Sequence, residues 1–456
     1  MTPPISLACL LAGYQGSKNC KDIISSLADD ILLLILSLLD LKEAARTSAL
    51  SRRWRYLWSY LPGYYDFDVS ATCWWKFRKI WDEQYQLNVR KFADYVNQVV
   101  SSSRAPRVHT FRVRIPLDSS YRADIHRWVN FAMGKSVKEL ELNLSFYYGV
   151  CCGGPLLLDS FSCYAQYPTG HTLVSLSLAS LCINDCFVHS LLLNFPNLER
   201  LSMRDLHCQG GNVKVVGGLL KLRYLEMSFK TDLVTLEISA RNLISIVFVG
   251  HDEDVKFSNV PLLQEASFEG TYPLRVIHNP RNISGFSSQL TKLNLNLPSM
   301  HKIIGNPIKL PHFGNLKLLE LLFFDGLDKN LLIFTNFIDA CPMLQKFKLR
   351  RVLLQYYSIK LPIGIENRVA HKVHSHLQIF EMVDFLGAEV DIELVLYLAK
   401  FAIMLEMVVL HPFNPSPEWG PLEQATLDHM EAIEKQAKQL QNQLPPRVQL
   451  ELAATV

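Results

Sequence analysis

The segment from Leu173 to Met203, LVSLSLASLCINDCFVHSLLLNFPNLERLSM, begins and ends on the same short pattern. An apolar residue, two variable ones, an apolar, a variable and an apolar make up Leu173-Val-Ser-Leu-Ser-Leu178 and then Leu198-Glu-Arg-Leu-Ser-Met203. The last two apolar residues alternate with a variable one, as a short strand with one buried face requires. Between the copies, Leu191-Leu-Leu-Asn-Phe-Pro-Asn197 returns the chain. One such unit cannot bury its apolar face alone, so the pattern predicts neighbours stacked in parallel as a solenoid.

The same template runs outward in both directions. Upstream it starts at Val108 and Val137, and downstream at Leu222, Leu233, Leu243, Leu263, Leu290, Leu316 and Leu344. Leu173 to Leu198 is 25 residues, Leu198 to Leu222 is 24 and Leu290 to Leu316 is 26. These spacings fit leucine-rich repeats of roughly 20–29 residues. The copies at 222, 233 and 243 are more closely spaced, which predicts extended returns rather than helical ones there. Phe334-Thr-Asn-Phe-Ile-Asp-Ala-Cys-Pro342, like Leu191–Asn197, returns the chain along the outer face.

A different period governs the N-terminal stretch Asp22–Trp58, DIISSLADDILLLILSLLDLKEAARTSALSRRWRYLW. Leu27, Ile31, Leu34, Ile35 and Leu38 recur at helical spacing. Asp29 and Asp30 fall in the first turn, where the helix dipole favours negative charge. Asp40 through Glu43 has capping-box spacing and opens a second helix, and Ser51 can cap a third that carries Trp54, Leu57 and Trp58. Too much Leu, Ile and Trp remains for so small a unit to bury alone, and such excess implies a partner.

Ile24-Ser-Ser-Leu27, Asp29-Asp30-Ile31-Leu32, Arg46-Thr-Ser, Leu50-Ser-Arg-Arg-Trp-Arg55 and Leu57-Trp58, in that order, resemble an F-box, and specifically that of plant F-box proteins with leucine-rich repeats. Ala28 and Asp40 depart from that pattern, standing where the family usually or often has Pro. His376 to Gly387, a helix from Asp391 to Ala402 and a strand from Met404 to Pro412 resemble the FBD domain that ends many of these proteins. Physically that unit caps the last apolar layer of the solenoid. The fold class expected is α/β, a three-helix F-box followed by a solenoid of parallel strands with an FBD-like cap. The expected division is a tail at 1–20, the F-box at 21–60, a connecting helix at 61–105, the solenoid at 106–370, the cap at 371–415 and a helix and tail at 416–456. The connecting helix is read from Phe77, Trp81, Val89, Phe92, Val96 and Val99, mostly three, four or seven apart.

Composition narrows the function. Hydrophobic residues are 49% and charged ones 20%, which describes a folded globular chain. A net charge of +3 argues for neither nucleic acid nor membrane. Ten cysteines without paired CxxC motifs fit reduced thiols rather than a zinc site. The apolar run among the first sixteen residues lacks a basic leader, so no signal peptide is expected, and Ile31–Leu39 is too short to span a bilayer. A nuclear or cytoplasmic protein is expected. His371, His374 and His376 read as a polar loop rather than a metal site, and Gly153-Gly154 and Gly210-Gly211 read as turns. There is no phosphate loop, no nucleophile elbow and no defensible nucleophile–base pair. No catalytic residue, metal ligand or cofactor is assigned.

The resemblance implies a substrate receptor of a ubiquitin ligase, in which the F-box docks on a Skp-family adaptor and so reaches a cullin–RING core. The adaptor contacts expected are Leu27, Ile31, Leu32, Ile35, Leu50, Trp54 and Leu57. The variable strand positions face the concave surface, where solenoids commonly hold partners. There Lys292, Leu318, Glu320, Leu322, Lys346, Lys348 and Arg350 are expected to contact a protein substrate, the basic ones favouring an acidic segment. Glu139 and Glu141 at the front suggest a surface that runs from acidic to basic. The alternative is a repeat protein that binds a partner or senses a ligand without engaging a ligase.

Overall fold

The structure is a computed structural model describing residues 24–69, 83–145, 156–157, 172–217, 221–231, 233–251, 253–298, 308–325, 331–353, 372–413 and 424–453. The expectations on the first sixteen residues, Phe77, Trp81, Gly153-Gly154 and His371 lie outside the described residues.

The strands in chain order are β1 (Gly63–Asp68), β2 (Val108–Arg114), β3 (Glu139–Asn143), β4 (Leu156–Leu157), β5 (Ser175–Ala179), β6 (Leu181–Asn184), β7 (Arg200–Gln209) and β8 (Asn212–Val216). They continue as β9 (Tyr224–Thr231), β10 (Thr235–Ser239), β11 (Ser245–Gly250), β12 (Asp254–Ser258), β13 (Glu265–Gly270) and β14 (Lys292–Leu297). The last five are β15 (Leu318–Asp325), β16 (Lys346–Leu353), β17 (Ile379–Phe385), β18 (Met407–Pro412) and β19 (Gln449–Leu452). One parallel ladder runs β1-β2-β3-β5-β7-β9-β11-β13-β14-β15-β16-β17-β18-β19. The period-two pattern fixes its register. Leu293, Leu319 and Phe347 lie side by side and point inward, as do Leu295, Leu321 and Leu349. Their faces join one continuous apolar core reaching from Tyr65 to Val448.

Three expectations change. The segment at 61–105, read as a connecting helix, opens with a strand: β1 pairs with β2 and starts the ladder, and the helix Glu83–Ser102 is the return of that first repeat. Tyr65 and Phe67 supply its inward layer. The copy at Leu233 does not belong to the ladder. Its strand β10 pairs with β8 and β12 in a second, three-stranded parallel sheet on the return side. The thirteen residues between Thr231, where β9 ends, and Ser245, where β11 starts, make one of the shorter crossovers, and the chain spans it as the strand β10. The returns are therefore extended, as expected, and the Leu233 copy is itself a return, burying Leu236 and Ile238 in the common core. Lastly, β18 is not the closing strand, since the helix Gln424–Gln441 follows and β19 pairs beyond it.

The FBD-like segment continues the same sheet. Its helix Glu389–Phe401 buries Leu394, Val395 and Leu398. A fully buried ion pair ties it to the ladder: Arg351 of β16 donates from Nη2 to Asp391 Oδ1 at 2.6 Å, with side chains 1% and 0% exposed. The other Asp391 oxygen accepts from the Leu386 amide at 3.0 Å.

The N-terminal unit has a core of its own, made of Leu32, Leu36, Ala44, Trp54, Leu57 and Leu61. Asp40 caps the helix Leu41–Arg46 by accepting from the Glu43 amide at 2.7 Å. The third helix is a 3-10 helix, Trp54–Tyr60, rather than an α-helix. Trp58 packs against both this core and that of the ladder, and the Arg104 amide donates to Ser59 O at 2.7 Å.

Candidate functional site

Two surfaces emerge, and each revises the residues that the sequence nominated. The first lies on the helix Asp29–Leu36 and the turns that flank it. Leu32, Trp54 and Leu57, expected to touch the adaptor, are 0%, 5% and 7% exposed and form the unit's own core. Ile31, Ile35 and Leu50 do face solvent, and Leu27 is half-buried against the core. The structure adds Leu34 at 66% and Leu38 at 82% exposure. Ile31, Leu34, Ile35 and Leu38 are spaced i, i+3, i+4 and i+7, so they form one stripe, with Leu39 and Ile24 also exposed. The helix is apolar all round, and for that reason its sequence could not say which stripe turns inward.

The two departures from the F-box pattern leave this surface undisturbed. Ala28 has φ −64° and Asp40 has φ −65°, the value a proline ring imposes. Each residue keeps the backbone that Pro would set, and Asp40 adds a cap. Arg53 fixes the start of the helix by reaching Asp29 Oδ1 at 2.6 Å and Leu27 O at 2.5 Å.

The second surface is the open face of the ladder, opposite the returns. Lys292, Leu318 and Lys346 share one register row, Glu320 and Lys348 a second, and Leu322 and Arg350 a third. All seven nominated residues therefore lie together. Three of the four basic ones, however, are not free charges. Lys346 and Lys348 both reach Glu381 on β17, at 2.6 and 2.8 Å, and Arg350 lies 3.5 Å from Asp384. His411 Nε2 is 3.3 Å from the same Glu381 carboxylate. At the front, Glu139 and Glu141 are held by Arg112 and Arg114, which also meet Asp66 and Asp68. Ion pairs between neighbouring strands therefore weaken the acidic-to-basic gradient read from the variable positions without removing it: four carboxylates meet two arginines at the front, and three cations meet two carboxylates at the far end. Leu318 and Leu322 remain as half-buried apolar positions on the face.

The remaining motifs take structural places. His374 is buried, which lowers its pKa ahead of the opposing pull of Asp339, whose Oδ1 is 3.8 Å away. His376 Nδ1 lies 2.9 Å from Pro342 O. Burial pushes the Cys341 thiol up, as for an inert packing residue. Gly210 and Gly211, at φ +102° and +81°, make the turn between β7 and β8. Among the described residues no group of three or more His, Cys, Asp or Glu could hold a metal ion, and no helix is long and apolar enough to cross a membrane.

Comparison with known proteins adds two family matches. Residues 102–419 match the family described as At1g61320/AtMIF1, LRR domain, and residues 17–65 match the F-box domain. The chain is 32% identical over 246 residues to the F-box/LRR-repeat protein At3g03360 of Arabidopsis thaliana, a match covering 49% of this chain and 44% of that relative. It is 25% identical over 426 residues to the Arabidopsis thaliana F-box/FBD/LRR-repeat protein At4g26340, covering 86% and 93% of the two chains. Against the Arabidopsis thaliana F-box/FBD/LRR-repeat protein At1g13570 the identity is 23% over 412 residues, covering 85% and 91%.

Proposed function

The chain belongs to the plant F-box/FBD/LRR-repeat family, and on that premise we propose that it is the substrate-recognition subunit of an SCF-type (Skp–cullin–F-box) E3 ubiquitin ligase. Proteins of this family are in general non-catalytic adaptors. The chain would perform no bond chemistry itself. It would hold a target protein beside the transfer machinery and raise its effective concentration there. The reading places it in the nucleus or cytoplasm, where a Skp-family adaptor and a cullin–RING core would join it.

The observation that carries this reading is the stripe Ile31, Leu34, Ile35 and Leu38, left outside a core that is already complete without it. Burying such side chains in an adaptor groove would contribute roughly 1.5–3 kcal/mol each before the costs of association. The open face of the ladder, with Leu318, Glu320 and Leu322, is the proposed target surface.

Replacing Leu34 and Leu38 together by Asp tests the adaptor half. Capture of a Skp-type adaptor should be lost while the melting temperature is unchanged, because neither residue contributes to the core. Trp54→Ala, by contrast, should unfold the N-terminal unit. Adaptor capture retained by the folded L34D/L38D variant would refute ligase engagement and leave a repeat protein with some other partner.

A further inference from the structure

The ion pairs of the open face leave Arg200 and Arg204 standing out. Arg112, Arg114, Lys230, Lys346, Lys348 and Arg350 each have a carboxylate within 4.0 Å on the same or a neighbouring strand. Lys292 stands opposite Glu265 in register. Arg200 and Arg204, both on β7, form no such ion pair among the described residues. Arg200 pairs in register with Ser175 on one side and Tyr224 on the other, and Arg204 lies opposite Ala179. The buried Nε of Arg204 has no hydrogen-bond partner.

One of the two guanidiniums is held ready by a ring. Arg200 Cζ sits 4.3 Å from the centroid of Tyr224, a stacking that fixes the side chain before any partner arrives. Burial raises the Tyr224 hydroxyl, Glu226 adds to that rise, and Arg200 and Arg204 both pull it down, so both cations act on the same ring. Glu226 is the one carboxylate in the cluster. It accepts from Ser202 Oγ at 2.6 Å and from the Tyr224 hydroxyl at 3.3 Å, which pins the ring and leaves the cluster with one positive charge in excess. Four residues along a strand separate the Arg backbones by about 13 Å.

We propose that Arg200, braced by Tyr224, and Arg204 form the anion-reading site of the open face, and that its occupant is an extended acidic segment of the target protein with carboxylates about four residues apart. The assignment rests on the reading of the open face as the target surface, and it moves the acidic specificity away from Lys346, Lys348 and Arg350, whose side chains are already tied up in ion pairs with Glu381 and Asp384. Extended backbone matches the spacing of the two cations, and unpaired Arg favours carboxylate geometry.

The test uses the full chain, prepared alone and then mixed with a Skp-type adaptor, and a short fluorescent Gly/Ser peptide bearing Glu pairs about four residues apart. Binding is read by anisotropy at low salt, with Gln in place of Glu and phosphoserine in place of Glu as further arms. The Glu peptide should bind with an affinity that falls as salt rises. R200E/R204E should weaken it by about tenfold or more, and K346Q/K348Q should leave it within about twofold. R200Q alone, at an exposed position, should weaken binding without a change in melting temperature, which separates the effect from unfolding at the half-buried Arg204. No binding by the Glu peptide, equal binding by the Gln peptide, or insensitivity to R200E/R204E would overturn the site. Binding by the phosphoserine peptide alone would overturn the acidic occupant. Adaptor capture is scored on the same samples: its loss with peptide binding intact defeats the ligase reading only, and the converse defeats the anion site only.

Discussion

Glu381 shows how a single residue on the open face carries both structure and pH response. Burial raises its carboxyl pKa, and hydrogen bonds from Lys346 and Lys348 more than offset that, bringing it from 4.5 down to about 2. A carboxyl with a depressed folded pKa contributes stability above its unfolded value, and that contribution fades as pH falls through the folded one. Asp384 has the opposite sign, because its burial outweighs the lowering by Arg350. Of the groups facing Glu381, His411 completes the set. E381Q is therefore expected to flatten the dependence of stability on pH between 4.5 and about 2, relative to the parent chain. Urea midpoints across that range check this, and parallel curves for the two proteins would contradict it. The period-two pattern was enough to put Lys346, Lys348 and Arg350 on one face. It could not reveal that two of them share Glu381, because that partner lies on the next strand and depends on tertiary register.

At the scale of elements, strand ends are as constrained as strand interiors. Gly250 and Gly270 pair in register where β11 and β13 finish. Gly270 has φ +79°, and a Cβ there would lie 2.2 Å from Gly250 O, a backbone atom that cannot swing aside. G270A combines left-handed strain with that close approach and should cost about 1–3 kcal/mol. Chemical denaturation measures it, and an unchanged midpoint would mean the turn relaxes freely. The elements themselves were legible where their period was unmixed. The return helix Glu83–Ser102 shows the alternation of apolar and charged faces expected of it. The helix Asp29–Leu36 was legible as a helix but not as an oriented one, since apolar residues surround it. The 3-10 form of Trp54–Tyr60 left no distinct mark in the sequence.

For the whole molecule, the ladder has one core, so its last layers protect all that precede them. Cutting the chain after Lys372 removes β17, β18 and β19 with both of their helices. Phe347 and Leu349 lose their neighbours Phe380 and Met382. Arg351 loses Asp391, and Lys346 and Lys348 lose Glu381. Leaving a buried Arg without its partner costs about 3–5 kcal/mol by itself. The truncated chain should aggregate or unfold over a broadened transition. A soluble truncation that melts as sharply as the full chain would refute the capping role of the C-terminal segment.

The sequence by itself determined the architecture. The repeated apolar template, the helical N-terminal unit and the segment that continues the sheet at its end were all readable, because each depends on local periodicity and on the need to bury one face. It also determined which residues share the open face, because side chains alternate strictly along a strand. Only the tertiary structure decided which of those residues remain available. It turned Leu32, Trp54 and Leu57 into core and left Leu34 and Leu38 outside. It sent the Leu233 copy to the return side, and it tied Lys346 and Lys348 to one carboxylate while leaving Arg200 and Arg204 without an ion pair among the described residues. The physical reason is common to all three. Burial and charge pairing are set by residues far away in the chain, and only the stacking of one repeat on the next brings them within reach.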